Sequence, residues 1–165
     1  MTTGGSIDDT GLGTGGPGGR IVVGVDGSLP SRAALRWAVR QAKLTGAVVD
    51  AYTAWEMPVS YSWVQGAVTG IEDFEDAAWR TLAEAIRETG AAQAGVEIRP
   101  WVQEGHPAQV LVAAAQGARL LVVGSRGHGE FAAALLGSVS QNCVHHAPCP
   151  VVVVRGHEAD QSKAA

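Results

Sequence analysis

The chain has 165 residues, 46% apolar and only 17% charged, which suits one packed domain and excludes disorder throughout. Twelve basic and sixteen acidic residues give a net charge of −4. That excludes a nucleic-acid binder working by phosphate neutralisation, but not a small phosphate ligand held by backbone N–H groups. Two cysteines make no disulfide framework, no apolar run reaches bilayer length, and the start lacks the basic-then-apolar pattern of a leader. A cytoplasmic protein, bound to neither nucleic acid nor membrane, is expected.

Residues 1–19 are rich in Gly, Thr and Asp with almost nothing to bury, and are read as a disordered tail; residues 157–165 are read as a second flexible tail. Between them, over 20–156, short β-branched runs alternate with Ala-rich helical patterns. Ile21–Asp26 is a buried-strand run. Pro30–Thr45 is helical, with Ala34, Leu35, Ala38, Val39 and Ala42 on one face, Ser28 or Ser31 as cap and Gly46 as stop. Ala47–Trp55 is a second strand, followed by a loop over 56–71 that carries Tyr61 and Trp63. Glu72–Ala94 reads as one helix, with Phe74, Ala78, Leu82, Ala85 and Ile86 on one side. Val96–Gln103 is a third strand, Pro107–Gln116 a short helix opened by proline, and Arg119–Gly124 a fourth strand. Gly137–His146 is a helix ended by Pro148, and Pro150–Arg155 a fifth strand.

Strands apolar on both faces, alternating with helices, predict an α/β fold: a five-stranded parallel, doubly wound open sheet. In such sheets ligands bind beyond the carboxyl ends of the strands. The unusual residues fall there. The first strand ends in Asp26, Gly27 and Ser28. The fourth runs into Gly124-Ser125-Arg126-Gly127, then nine residues, His128 to Leu136, then Gly137-Ser138-Val139-Ser140 at the start of a helix. The spacing is G-x2-G-x9-G-S. Gly124 and Gly127 let the backbone turn and approach a ligand with no Cβ in the way. Residues 137–140 fall in a first helical turn, whose N–H groups and positive dipole end favour an anion, with the hydroxyls of Ser138 and Ser140 as further donors. Asp26 beside such a site suits ribose hydroxyls or a metal ion; alone, it also suits a helix cap.

At these residues the chain resembles the universal stress protein family, over about residues 20–156. The resemblance implies a Rossmann-like adenine nucleotide α-hydrolase fold and an ATP site, with Mg²⁺. It places Asp26 at the adenine or ribose side with Gly24 and Val25, and Ala54 against the adenine. Val123, Gly124, Arg126 and Gly127 then run past the ribose and phosphates, and Gly137, Ser138, Val139 and Ser140 hold the phosphates. It implies a regulatory role in stress or growth-state signalling with slow or no hydrolysis. Cyclic AMP or AMP as the ligand, or a nucleotide-independent dimeric interaction module, stay open. The apolar PVVVV run is expected at a sheet edge, where it invites a homodimer through residues 150–155.

Other chemistries find less support. Ser125 directly follows Gly124, so no nucleophile elbow exists, and no Gly-Lys-Ser/Thr provides a P-loop. Cys143, His145, His146 and Cys149 cluster without a known zinc spacing; Cys143 reads as a small core residue and the histidines as the end of a helix.

Overall fold

Alternation along the first strand decides how the layers form. The computed structural model describes residues 16–59, 71–126 and 136–156. Strand β1 (Arg20–Gly24) sends Ile21 and Val23 to one face and Val22 to the other, all buried. The elements that follow are α1 (Leu29–Thr45), β2 (Val48–Trp55), α2 (Ile71–Glu88), α3 (Ala91–Ala94), β3 (Ile98–Glu104), α4 (Pro107–Ala114), β4 (Leu120–Gly124), α5 (Ser138–His146) and β5 (Val151–Val154).

The five strands form one sheet in the order β3-β2-β1-β4-β5, every pair parallel. The order runs outward from β1 to β3, then resumes on the other side with β4. The switch therefore lies between β1 and β4, where a doubly wound sheet opens a crevice. Helices α1 and α2 cover one face, over a core with Val23, Leu35, Val49 and Leu82. Helices α4 and α5 cover the other, with Val22, Leu111, Leu121 and Cys143. The expected α/β fold is the one observed, and β5 stands at an edge with Val151, Val152 and Val153 only partly covered.

Helix α1 starts and stops on local chemistry. Ser28 is its N-cap and accepts from the Ser31 N–H at 3.3 Å. Gly46 closes it in the left-handed conformation, φ 74°, donating its N–H to Ala42. The expected single helix over 72–94 is in fact two. Gly90 adopts φ 65°, which ends α2, and Thr89 Oγ1 donates to Ile86 O at 2.7 Å and accepts from Ala91 N at 3.2 Å. A side-chain hydroxyl and a left-handed glycine thus break the α-helical ladder that the apolar spacing alone would continue.

A buried ionic cluster ties the amino ends of three strands together. Arg20 Nη1 donates to Asp50 Oδ2 at 2.9 Å and Arg99 Nε to Asp50 Oδ1 at 2.6 Å. Arg20 Nη2 also donates to the Ala114 and Gln116 carbonyls at the end of α4. Residues 16–19, assigned to the tail from sequence, form a tight turn against the end of α1; Gly18 N donates to Gly46 O at 3.2 Å. No helix among the described residues is long and apolar enough to cross a membrane.

Candidate functional site

The carboxyl end of β1 is built by hydroxyls. Asp26 Oδ1 accepts from Ser28 N at 2.9 Å and from Ser28 Oγ, and Asp26 N donates to Ser31 Oγ at 3.2 Å. Asp26 is therefore not the helix cap itself. It stands two residues ahead of the cap and holds it, in an Asx-type turn that leaves Asp26 exposed at the rim. Gly27 sits at φ 82°, and a Cβ there would come within 2.9 Å of Thr81 Cγ2 of α2. Arg32 Nε donates to the Gly27 carbonyl at 3.0 Å while its Nη1 pairs with Glu88 of α2. The second layer of helix thus fixes the turn that carries Asp26.

The carboxyl end of β4 meets this turn from the other side. A Cβ at Gly124 would fall 2.7 Å from the Pro30 carbonyl carbon and 2.8 Å from Ser31 N. The first glycine of the spaced motif is thus required for close contact between β4 and α1. The next residue, Ser125, anchors α5: its carbonyl accepts from Gly137 N at 2.7 Å and from Ser140 Oγ at 3.2 Å. Ser140 Oγ also lies 3.0 Å from Gly137 O, so its one proton is used within the protein, and the side chain is buried. Ser138 stays exposed. Gly137 is the N-cap of α5 and brings no side-chain cap, so among the described residues the first-turn N–H groups of Ser138, Val139 and Ser140 have neither an i−4 carbonyl nor a side-chain cap.

These two ends, with the top of β2 and the start of α4, enclose a cavity of about 510 Å³. Gly24, Val25 and Asp26 line it from β1, Ala54 from β2, Val123, Gly124 and Arg126 from β4, and Gly137 to Ser140 from α5. Gly127 falls outside the described residues, as do Tyr61, Trp63 and residues 128–135. The sequence reading missed Ser31, Tyr52, Pro107, Leu111, Leu136 and Gln141, which also line the cavity. Tyr52 and Leu111 are buried core residues that no local pattern marks as site residues; the parallel register and the packing of α4 over β1 and β2 carry them to a ligand-sized space.

The cavity has two chemically different ends. One is apolar, between Tyr52, Ala54, Pro107 and Leu111. The other is the uncapped start of α5, with Arg126 beside it. Asp26 and Arg126 are the only charged residues among the described lining. Burial raises the Tyr52 hydroxyl above its ordinary 10.0, and neighbouring Asp50 adds to the rise, so it is a neutral donor at physiological pH. Cys143 lies on the buried side of α5, in the core, and His145 and His146 are exposed in its last turn. Among the described residues, no group of three or more His, Cys, Asp or Glu is placed to hold a metal ion.

A family model described as the universal stress protein family matches residues 19–155. A universal stress protein of Thermus aquaticus is 36% identical over 140 residues, covering 82% of this chain and 97% of that protein. Another, from Mycolicibacterium smegmatis, is 35% identical over 143 residues, covering 84% of this chain and 48% of that one. The chain thus spans about half the length of the mycobacterial relative. A solved universal stress protein in complex with cAMP superposes with a TM-score of 0.63 at 29% identity, covering 83% of this chain and 96% of its own. The fold and the chain-wide match define one class, and the chain belongs to the universal stress protein family.

Proposed function

We propose that the chain is a cytoplasmic regulatory protein that binds ATP in this cavity and signals stress or growth state through occupancy, with slow or no hydrolysis. The observation that carries the reading is the uncapped N-terminus of α5 opening onto the same cavity as an apolar end. Three first-turn N–H groups and a helix dipole suit phosphates, which explains how an acidic chain would take an anionic ligand without a basic surface. The Tyr52–Ala54–Leu111 end suits a flat base, and a volume of about 510 Å³ lies in the range of small-molecule pockets. Asp26 at the rim suits ribose hydroxyls.

For Mg²⁺, the described lining offers one carboxylate, Asp26, already engaged by Ser28. That fits an ion carried mainly by phosphates and water, with Asp26 as its protein-side partner, rather than a protein cage. The same scarcity among the described residues supports slow or absent turnover: the Asp26 carboxylate is tied into the turn that holds α1, away from the role of a general base.

A second reading, cyclic AMP as the ligand, is favoured by the solved relative in complex with cAMP. A homodimer through β5 is supported by the edge position of that strand and its partly exposed valines. Calorimetry on nucleotide-stripped protein with ATP, AMP and cyclic AMP tests the reading. ATP is expected to bind at one site per chain, and Gly137→Glu, which sets a carboxylate at the start of α5, to abolish it. Failure of all three nucleotides to bind would remove the proposal, and tighter binding of cyclic AMP would select the second reading.

A further inference from the structure

One aromatic pair joins the core to the wall of the cavity. Tyr52 on β2 and Trp101 on β3 are register partners, their rings parallel within 12° and their centroids 5.9 Å apart. Tyr52 is 5% exposed and lines the cavity; Trp101 is 39% exposed on the edge strand. Helix α4 packs over β1 and β2, so the outer half of this face carries a large apolar ring in contact with solvent. The rest of Trp101 is covered, and the stacked Tyr52 ring is part of what covers it. Trp101 thus lies flat against the ring that walls the cavity.

The surrounding ladder shows why the pair is placed so firmly. On this face of β2 and β3, pairs follow one another from the amino end: Asp50 with Arg99, Tyr52 with Trp101, Ala54 with Gln103. The first is locked by the buried ion pair. The third has a methyl group on the β2 side, which leaves room beside the Tyr52 ring. On the β1 side Tyr52 faces Gly24, which has no side chain. Tyr52 therefore has a ring neighbour on its outer side and, toward the cavity, Ala54 and Gly24 with the Leu111 side chain packed over Gly24.

We propose that Tyr52 is the wall that recognises the ring of the ligand, and that Trp101, which does not reach the cavity, is a positioning residue that sets the Tyr52 ring from outside. The site then selects ligands that carry a flat aromatic base, and its specificity is divided between two ends: the start of α5 reads phosphate, and the Trp101–Tyr52 stack reads the base. This rests on the nucleotide reading and deepens it.

The test separates base from phosphate. Dissociation constants for ATP and for inorganic tripolyphosphate, which has the charge but no ring, are measured on the full chain and on Trp101→Ala and Trp101→Phe. The expected result is a loss on the order of tenfold for ATP in Trp101→Ala, recovered in Trp101→Phe, with tripolyphosphate unchanged. A second measurement does not depend on the alanine variant folding well. The emission of the wild type minus that of Trp101→Phe isolates Trp101, and it is expected to respond to ATP and not to tripolyphosphate. Equal losses for both ligands in Trp101→Ala, no loss for either, or a difference emission indifferent to ATP would overturn the proposal while ATP binding by the wild type stands. A wild type that binds neither ligand would instead remove the nucleotide reading itself.

Discussion

Gly124 and Pro30 touch so closely that no side chain fits between them: a Cβ at 124 would lie 2.7 Å from the Pro30 carbonyl carbon and 2.8 Å from its Cβ. The obstacle is backbone, and it belongs to the first turn of α1, which also carries Ser31 and its bond to Asp26 N. Gly124→Ala must therefore move α1 or β4, at a cost of about 1–3 kcal/mol by the usual toll of overpacking. At Gly24 the nearest atom to an added Cβ is Leu111 Cδ1, also at 2.7 Å, but that is the end of a side chain able to turn away. Chemical denaturation should show Gly124→Ala losing clearly more stability than Gly24→Ala. Equal losses would mean that α1 yields as easily as Leu111.

The Arg20–Asp50–Arg99 cluster predicts a larger effect at a site no ligand touches. The Asp50 side chain is 3% exposed and Arg20 5%. Removing the carboxylate leaves two guanidinium groups facing each other in a buried setting, so Asp50→Ala should cost about 3–5 kcal/mol. Glu88, paired with Arg32 at the surface, provides the contrast: its side chain is 38% exposed, and Glu88→Gln should cost under about 1 kcal/mol. Thermal and urea unfolding of the two variants side by side checks the ranking, and similar losses would contradict it.

How far these features could be read in advance depended on whether their cause was local. β-branched runs, the Ser28 cap and the Gly46 stop are set by neighbours in sequence, and the strands and α1 came through. The glycine spacing falls on the crevice that the cavity occupies, but gave Gly124 a reason, approach to a ligand, that differs from the contact it makes with Pro30. The break at Gly90 was hidden because the apolar spacing runs through it. Asp50 was invisible as a buried charge because its partners lie 30 and 49 residues away. Tyr52 and Leu111 carried no site signal for the same reason: the cavity they line exists only once α4 has folded back over β1 and β2.

Stability should also fall in alkali through a residue outside the site. Cys143 is fully buried, and burial pushes its thiol from an ordinary 9.0 up to about 11. The folded state thus holds the proton more tightly than the unfolded chain. The contribution is fully present below about 9, and is lost as pH rises through about 11. Over that window it amounts to about 1.4 kcal/mol per pH unit. Urea unfolding between these limits should show wild type losing stability faster than Cys143→Ala, whose curve lacks this slope. In the folded protein at neutral pH the thiol should react with a disulfide reagent only at the rate of unfolding. Parallel pH curves for the two proteins would show that burial does not perturb this thiol.

The start of α5 predicts a conflict between stability and binding. Gly137 occupies the N-cap with φ −70° and ψ 165°, extended backbone open to any residue, yet it brings no cap. Asp at that position can accept from the N–H groups at the second and third helical residues and opposes its charge to the dipole, so Gly137→Asp should stabilise the fold by a few tenths of a kcal/mol. The same N–H groups are the ones the nucleotide reading assigns to phosphate. A carboxylate that occupies them removes donors and repels the ligand, and affinity for ATP should fall at least on the order of tenfold. The pair of measurements is a melting curve and a calorimetric titration on one variant. A raised or unchanged melting temperature with weakened ATP binding fits a cap left open for a ligand; unchanged binding would mean that the phosphates do not sit at α5.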